Sequence, residues 1–178
     1  MIEEKKETWL NYLALTTVIL AVCATLSTFK GGGFSTRAVL SQTQASDQWA
    51  FYQAKSIKGY MYEMQKEELE LELKVMGPKA SKIMTGEYYK KIETYSQKIK
   101  KYDEEKVIIQ KDAHKYEKIR EDALKHSEAF QMAVIFLQIA ILLSSIAALM
   151  KKKYVWVLGL VAGAAGMVYF VNGFFSFF

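Results

Sequence analysis

The sequence predicts an all-α integral membrane protein. Three transmembrane helices are expected, with a long antiparallel helical hairpin, a coiled coil, between the first and second. Three observations predict it. Residues 9–29, 130–150 and 154–178 are apolar stretches, each long enough to cross a bilayer, which takes about 20 such residues. The interval between the first two is rich in Glu, Lys and Tyr and keeps a helical period. A single proline leaves little material for loops, and Glu, Lys, Leu, Ala, Met and Gln are all good helix formers.

The averages conceal this division. Hydrophobic residues are 51%, charged residues 24% and mean hydropathy is near zero, because the apolar residues concentrate in the stretches and the charges in the interval. The net charge is +5. Lysines and glutamates interleave, so no single-sign patch points to nucleic acid. Cys23 is the only cysteine, which excludes an intramolecular disulfide. Leu20-Ala21-Val22-Cys23 approaches a lipoprotein processing box, but Val22 stands where a small residue is needed. Cys23 is therefore read as a packing residue. Lys5 and Lys6 before an apolar run resemble a signal peptide, yet the run is too long for one.

Residues 1–30 form the amino-terminal segment and first span. Lys30-Gly31-Gly32-Gly33 predicts a break, since three glycines disfavour helix and allow a sharp change of direction. Residues 31–129 then comprise this hinge and the extramembrane hairpin. Ser41 and Gln44 have capping-box spacing. Gly77 and Pro78 end the first hairpin helix, with glycine at the C′ position and proline just after it. The second hairpin helix meets no breaker before Met150.

Both hairpin helices carry three-four spacing, the pattern of a coiled-coil seam. On the first it runs Leu40, Thr43, Asp47, Ala50, Ala54, Ile57, Met61, Met64, Glu68, Leu71 and Val75. On the second it runs Tyr88, Ile92, Tyr95, Ile99, Tyr102, Lys106, Ile109, Ala113, Tyr116, Arg120 and Ala123. A turn centred on Gly77 and Pro78 sets Ala54 opposite Tyr102, Met61 opposite Tyr95 and Met64 opposite Ile92. Tyrosine hydroxyls in such a seam need partners, which suggests further helices around the hairpin. Asp47 and Lys106 interrupt the seam about one turn apart. They form a candidate ion pair that fixes register, since a shielded unpaired charge is costly.

Residues 130–150 are the second span, and 151–178 a lysine loop and the third. Lys151, Lys152 and Lys153 in a short loop favour the cytoplasmic side. The hairpin is then periplasmic. Small residues let helices approach closely in lipid: Ala14, Thr17 and Ala21 on the first span, Gly159, Gly163 and Gly166 on the third. Packing between protomers is the favoured use of these stripes. Gln131, Gln138 and Ser145 recur at seven-residue spacing, with Gln138 deep in the second span as a candidate interhelical hydrogen-bonding residue. No charged residue lies deep in a span, which counts against a proton relay.

No chemistry of a reaction is visible. His114 and His126 are the only histidines, and no Glu-x-x-His pair suits a helical di-iron site. Phosphate loops, nucleophile elbows and metalloprotease helices are missing from the sequence. Neither a metal, a cofactor nor an enzymatic activity is expected.

The run Ala45-Ser-Asp-Gln-Trp-Ala-Phe-Tyr-Gln-Ala-Lys-Ser-Ile-Lys58 resembles a bacterial membrane-protein family catalogued as "domain of unknown function 4337". One amino-terminal span, a charged helical region and two further spans are similar too. The resemblance implies a small bacterial inner-membrane protein and no particular activity. Within this run Trp49, Phe51 and Tyr52 point away from the expected seam, as a candidate interaction surface. The expected role is a homo-oligomeric inner-membrane scaffold or stalk that can hold a protein partner. The alternatives are a sensor or accessory subunit of a membrane complex, and a pore-forming oligomer.

Overall fold

The computed structural model describes residues 8–77 and 82–177. It is all-helical. Helix α1 spans Thr8–Met76, α2 spans Lys82–Met150 and α3 spans Lys153–Phe175. No strand occurs among the described residues. Each helix contains a segment long and apolar enough to cross a membrane.

Local chemistry explains the ends. After Met76 the backbone enters the left-handed region at Gly77, φ 61°, which glycine adopts without steric cost. Lys74 lies in the last turn of α1, where a cation meets the negative end of the helix dipole. Pro78, the other half of the expected turn, lies outside the described residues. Helix α2 ends where Lys151 takes φ 51° and Lys152 N–H reaches back to Ala147 O at 3.2 Å. Lys152 is then extended and caps the start of α3. At the far end of α3 Asn172 accepts twice, from Ser176 N–H through its carbonyl and from Phe177 N–H through its side chain, each at 2.7 Å.

The expected break at Gly31 to Gly33 does not occur, and α1 is helical through all three. The reason is close packing at Gly31. A Cβ there would stand 3.0 Å from Phe130 Cβ, so glycine is the residue that admits α2. Ser127 Oγ on α2 donates to Gly31 O at 3.2 Å, occupying a second lone pair of a helical carbonyl. These contacts offset the roughly 1 kcal/mol that a glycine costs in a helix.

The chain divides into two compact units. One comprises residues 8–40 and 119–177, the other Ser41–Lys118. In the first, Leu20, Ala24, Ala133, Leu137 and Ala140 form a buried cluster, with Cys23, Met167 and Phe170 against it. A second cluster joins Trp9, Leu13 and Ala147, flanked by Val155 and Trp156. Most of the large apolar side chains here, such as Leu15, Val18, Val22, Leu142 and Val161, point outward. Small residues face in.

In the second unit α1 and α2 run antiparallel, since partners descend α2 as they climb α1. Trp49 meets Glu117, Lys55 meets Glu105 and Tyr62 meets Lys98. On α2 the covered face is the expected seam, Tyr88 through Tyr116 at three-four spacing. On α1 it is not. Ser41, Ala45, Gln48, Tyr52, Lys55, Gly59 and Tyr62 turn inward, two residues before the expected positions. Two residues are about 200° round a helix, so the expected α1 seam faces outward.

Candidate functional site

The inner face of the second unit is polar and aromatic. Trp49 donates its indole N–H to Glu117 Oε1 at 2.8 Å, and His114 Nδ1 lies 2.7 Å from the other oxygen of that carboxylate. The Trp49 ring stands edge-on to His114 at 5.3 Å and to Tyr52 at 5.6 Å. Two turns further on, Lys55 Nζ lies 2.6 Å from Glu105 Oε2 and 5.4 Å from the Tyr102 ring centre. The Glu105 carboxyl is held below the ordinary carboxylate value, foremost by the hydrogen bond from Lys55. Tyr62 then stacks on Tyr102 at 5.9 Å, lies tilted against Tyr95 at 5.5 Å, and accepts a hydrogen bond from Lys98 Nζ at 3.0 Å. That bond raises the Lys98 ammonium above its usual value.

Several expected residues therefore sit elsewhere. Trp49 and Tyr52 belong to the inner face, and Phe51 alone of that trio is outward, with Lys55 5.1 Å from its ring centre. Tyr95 packs on Tyr62 and not on Met61. Tyr102 faces Gly59, whose Cβ would come 3.9 Å from that of Tyr102, and not Ala54. The Asp47–Lys106 pair does not form. Asp47 is exposed on the outward side of α1, and Lys106 pairs with Asp103 one turn away at 2.8 Å. The reason is the same 200° displacement, which carries every residue of the expected α1 seam, Asp47 included, away from α2.

In the other unit the glycines of α3 are filled from within the chain. A Cβ on Gly159 would stand 3.2 Å from Ala140 O, one on Gly163 3.2 Å from Leu20, and one on Gly166 2.8 Å from Leu137. Gly173 is tighter still, 2.7 Å from the Phe130 ring. Phe130 is wholly buried and also meets Phe34, Phe170 and Phe174. Of the first-span stripe, Thr17 and Ala21 are half-buried and Ala14 is exposed. The inward face of α1 is instead built on Trp9, Leu13, Leu20, Ala24, Ser27 and Gly31.

The seven-residue series on α2 lies on the outward side. Gln131 donates to Ser127 Oγ at 3.0 Å and Ser145 to Ile141 O at 2.9 Å. Gln138 is exposed. His126 Nδ1 lies 2.9 Å from Gly173 O, and its ring stacks on Phe34 at 4.6 Å. Among the described residues no three His, Cys, Asp or Glu side chains are grouped to hold a metal ion.

The sites available are thus surfaces. Sequence reasoning missed the inner face of α1 because its residues are Gln, Tyr, Lys and Gly. The signal that could have found it is the unbroken three-four spacing from Ala45 through Gln48, Tyr52, Lys55 and Gly59 to Tyr62. The run from Ala45 to Lys58 supplies four of these positions and Trp49. No curated protein and no solved structure matches the chain. Over residues 9–176 it matches the family described as "Domain of unknown function (DUF4337)". With nearly its whole length covered, the chain belongs to that family.

Proposed function

We propose that the chain is a non-enzymatic, homo-oligomeric membrane scaffold of the bacterial inner membrane. The observation that carries this reading is the outward stripe of α1. Ile57, Met61, Met64, Leu71 and Val75 hold five of six successive three-four positions, Glu68 the other, and are 56% to 80% exposed. A stripe with that period is complementary to another helix of the same period. Among the described residues nothing covers it, because α2 occupies the opposite face. A second copy presents the same stripe, and self-complementary patches are what closed homo-oligomers use.

The three apolar helices anchor this assembly in the bilayer. Their outward Leu, Val and Ile side chains suit lipid, and their inward Gly, Ala and Ser allow close helix packing. Lys151, Lys152 and Lys153 lie on the cytoplasmic side, which puts the interval 31–129 in the periplasm. A cysteine introduced at Lys79 in a Cys23→Ala background should react with an impermeant thiol reagent from the periplasmic side. Reaction only after the inner membrane is opened would reverse this orientation.

The decisive measurement is the mass of the detergent-extracted particle. A particle holding several copies is expected. A monomer would refute the scaffold, and one copy bound to a different chain would make the protein an accessory subunit.

A further inference from the structure

The outward face of α2 carries a second stripe, of different chemistry. Gln131, Ile135, Gln138, Leu142, Ser145 and Leu149 follow one another at alternating four- and three-residue steps, and all six are exposed. Apolar and polar side chains alternate along it. The polar members are not equivalent. Gln131 is satisfied by Ser127, and Ser145 by Ile141 O. The Gln138 amide has no hydrogen-bond partner among the described residues. It stands near the middle of the uncharged segment between Glu128 and Lys151, about 15 Å from the first and about 20 Å from the second at the helical rise.

This inference rests on the proposed membrane insertion and self-association. In hydrocarbon no water reaches that depth, and an amide left without a partner is costly. The residue must find a donor or acceptor outside its own chain. We infer that the α2 face centred on Gln138 is the intramembrane contact between two copies of this chain, with the two Gln138 amides hydrogen-bonded to each other.

The amide itself argues for a second copy as the occupant. It offers two donors and one acceptor, so it is complementary to its own image across a two-fold axis. The heptad spacing of the flanking Ile135, Leu142 and Leu149 argues the same way. Such spacing keeps one face in contact with a partner helix of equal period, and a second α2 has that period. Interhelical bonds from Gln are an established way for helices to associate in lipid.

Two measurements test the inference in the full-length protein. The first is dissociation of the detergent-solubilised particle on dilution, for the native chain and for Gln138→Leu. Gln138→Leu leaves the chain's own core untouched and presents a side chain that lipid accepts. Dissociation is expected at about 3- to 30-fold higher protein concentration, the range of one interhelical hydrogen bond. The second is oxidative cross-linking in membranes, in a Cys23→Ala background. Gln138→Cys should give a species of twice the chain mass, and Val161→Cys, on the outward side of α3, should not. Unchanged dissociation of Gln138→Leu, or cross-linking at position 161 without cross-linking at 138, would overturn the inference while leaving the oligomer standing. A native particle that is monomeric at every concentration would remove both this contact and the scaffold reading.

Discussion

The register of the second unit can be tested by a disulfide that only one arrangement permits. A Cβ built on Gly59 lies 3.9 Å from Tyr102 Cβ, and bridged cysteines average about 3.8 Å between those atoms. In a Cys23→Ala background, Gly59→Cys with Tyr102→Cys should close a bridge with no backbone movement. The loop closed is about 44 residues, for which the chain-entropy estimate is about 4 kcal/mol. Removing the Tyr102 ring gives back part of this. It stacks on Tyr62 at 5.9 Å, a contact of about 0.5–1.5 kcal/mol. A net gain of about 2.5–3.5 kcal/mol for the oxidised over the native chain remains. Thermal melts of the oxidised and reduced forms would read it, and peptide mass spectrometry would confirm an intrachain bridge. The control is Met61→Cys with Tyr95→Cys, the pair that spacing around Gly77 predicts. Met61 is 56% exposed, so that pair should stay reduced. A bridge at 61–95 in preference to 59–102 would refute the two-residue displacement of the α1 seam.

The glycines offer an opposed pair of outcomes. Gly166→Ala puts a methyl 2.8 Å from Leu137 Cγ and 3.0 Å from its backbone nitrogen, so a loss of about 1–3 kcal/mol is expected from overpacking. Gly32 has nothing within 4 Å of its would-be Cβ, and Gly32→Ala should gain about 0.4–1 kcal/mol. Melts in one detergent would compare the two. Acid should weaken the second unit through Glu105. Its carboxyl is held below the ordinary value of 4.5 in the fold, first by the Lys55 hydrogen bond and then by the charges of Lys55, Lys101 and Lys58. A lowered folded-state value means that the stabilisation is present above 4.5 and is lost as pH falls through the folded value. Glu105→Gln should therefore flatten the acid side of the stability profile, and an unchanged acid limb would contradict the pairing.

How much of this was legible depends on the chemistry of each face. The α2 seam could be read because Tyr and Ile hold its positions while Lys and Glu fill the gaps, so polarity and period agree. On α1 they disagree. The inner face uses Lys55, whose ammonium pairs with Glu105 across on α2, and Gly59, which makes room for Tyr102. Hydropathy alone ranks Ile57, Met61 and Met64 above them and selects the opposite face. The glycine run misled for a related reason. Three glycines in sequence read as a hinge, yet Ser27, Gly31, Phe34 and Ala38 keep three-four spacing straight across it. Gly31 is a packing position, and only its neighbour Phe130 on α2, distant in sequence, reveals that. The same holds for α3. Its glycine spacing marked a packing face, but the choice of Leu137, Ala140 and Phe130 as partners comes from the fold.

The α1 stripe and the α2 stripe would act together in the proposed assembly. Full burial of Ile57, Met61, Met64, Leu71 and Val75 is worth on the order of 10 kcal/mol, and about a third of that area is already covered within the chain. The remainder is comparable with the 4–15 kcal/mol that association costs, so the α1 stripe alone should bind weakly. Gln138 adds one hydrogen bond, about 0.6–2 kcal/mol, and alone is weaker still. Joined in one chain, the second contact forms at a high effective concentration set by the first. Met61→Glu and Gln138→Leu should then each raise the dissociation midpoint, Gln138→Leu by about 3- to 30-fold, and the double variant should raise it by about the product of the two. Midpoints measured by dilution for all four proteins form the cycle. A double variant no weaker than the worse single one would mean that the stripes serve separate partners.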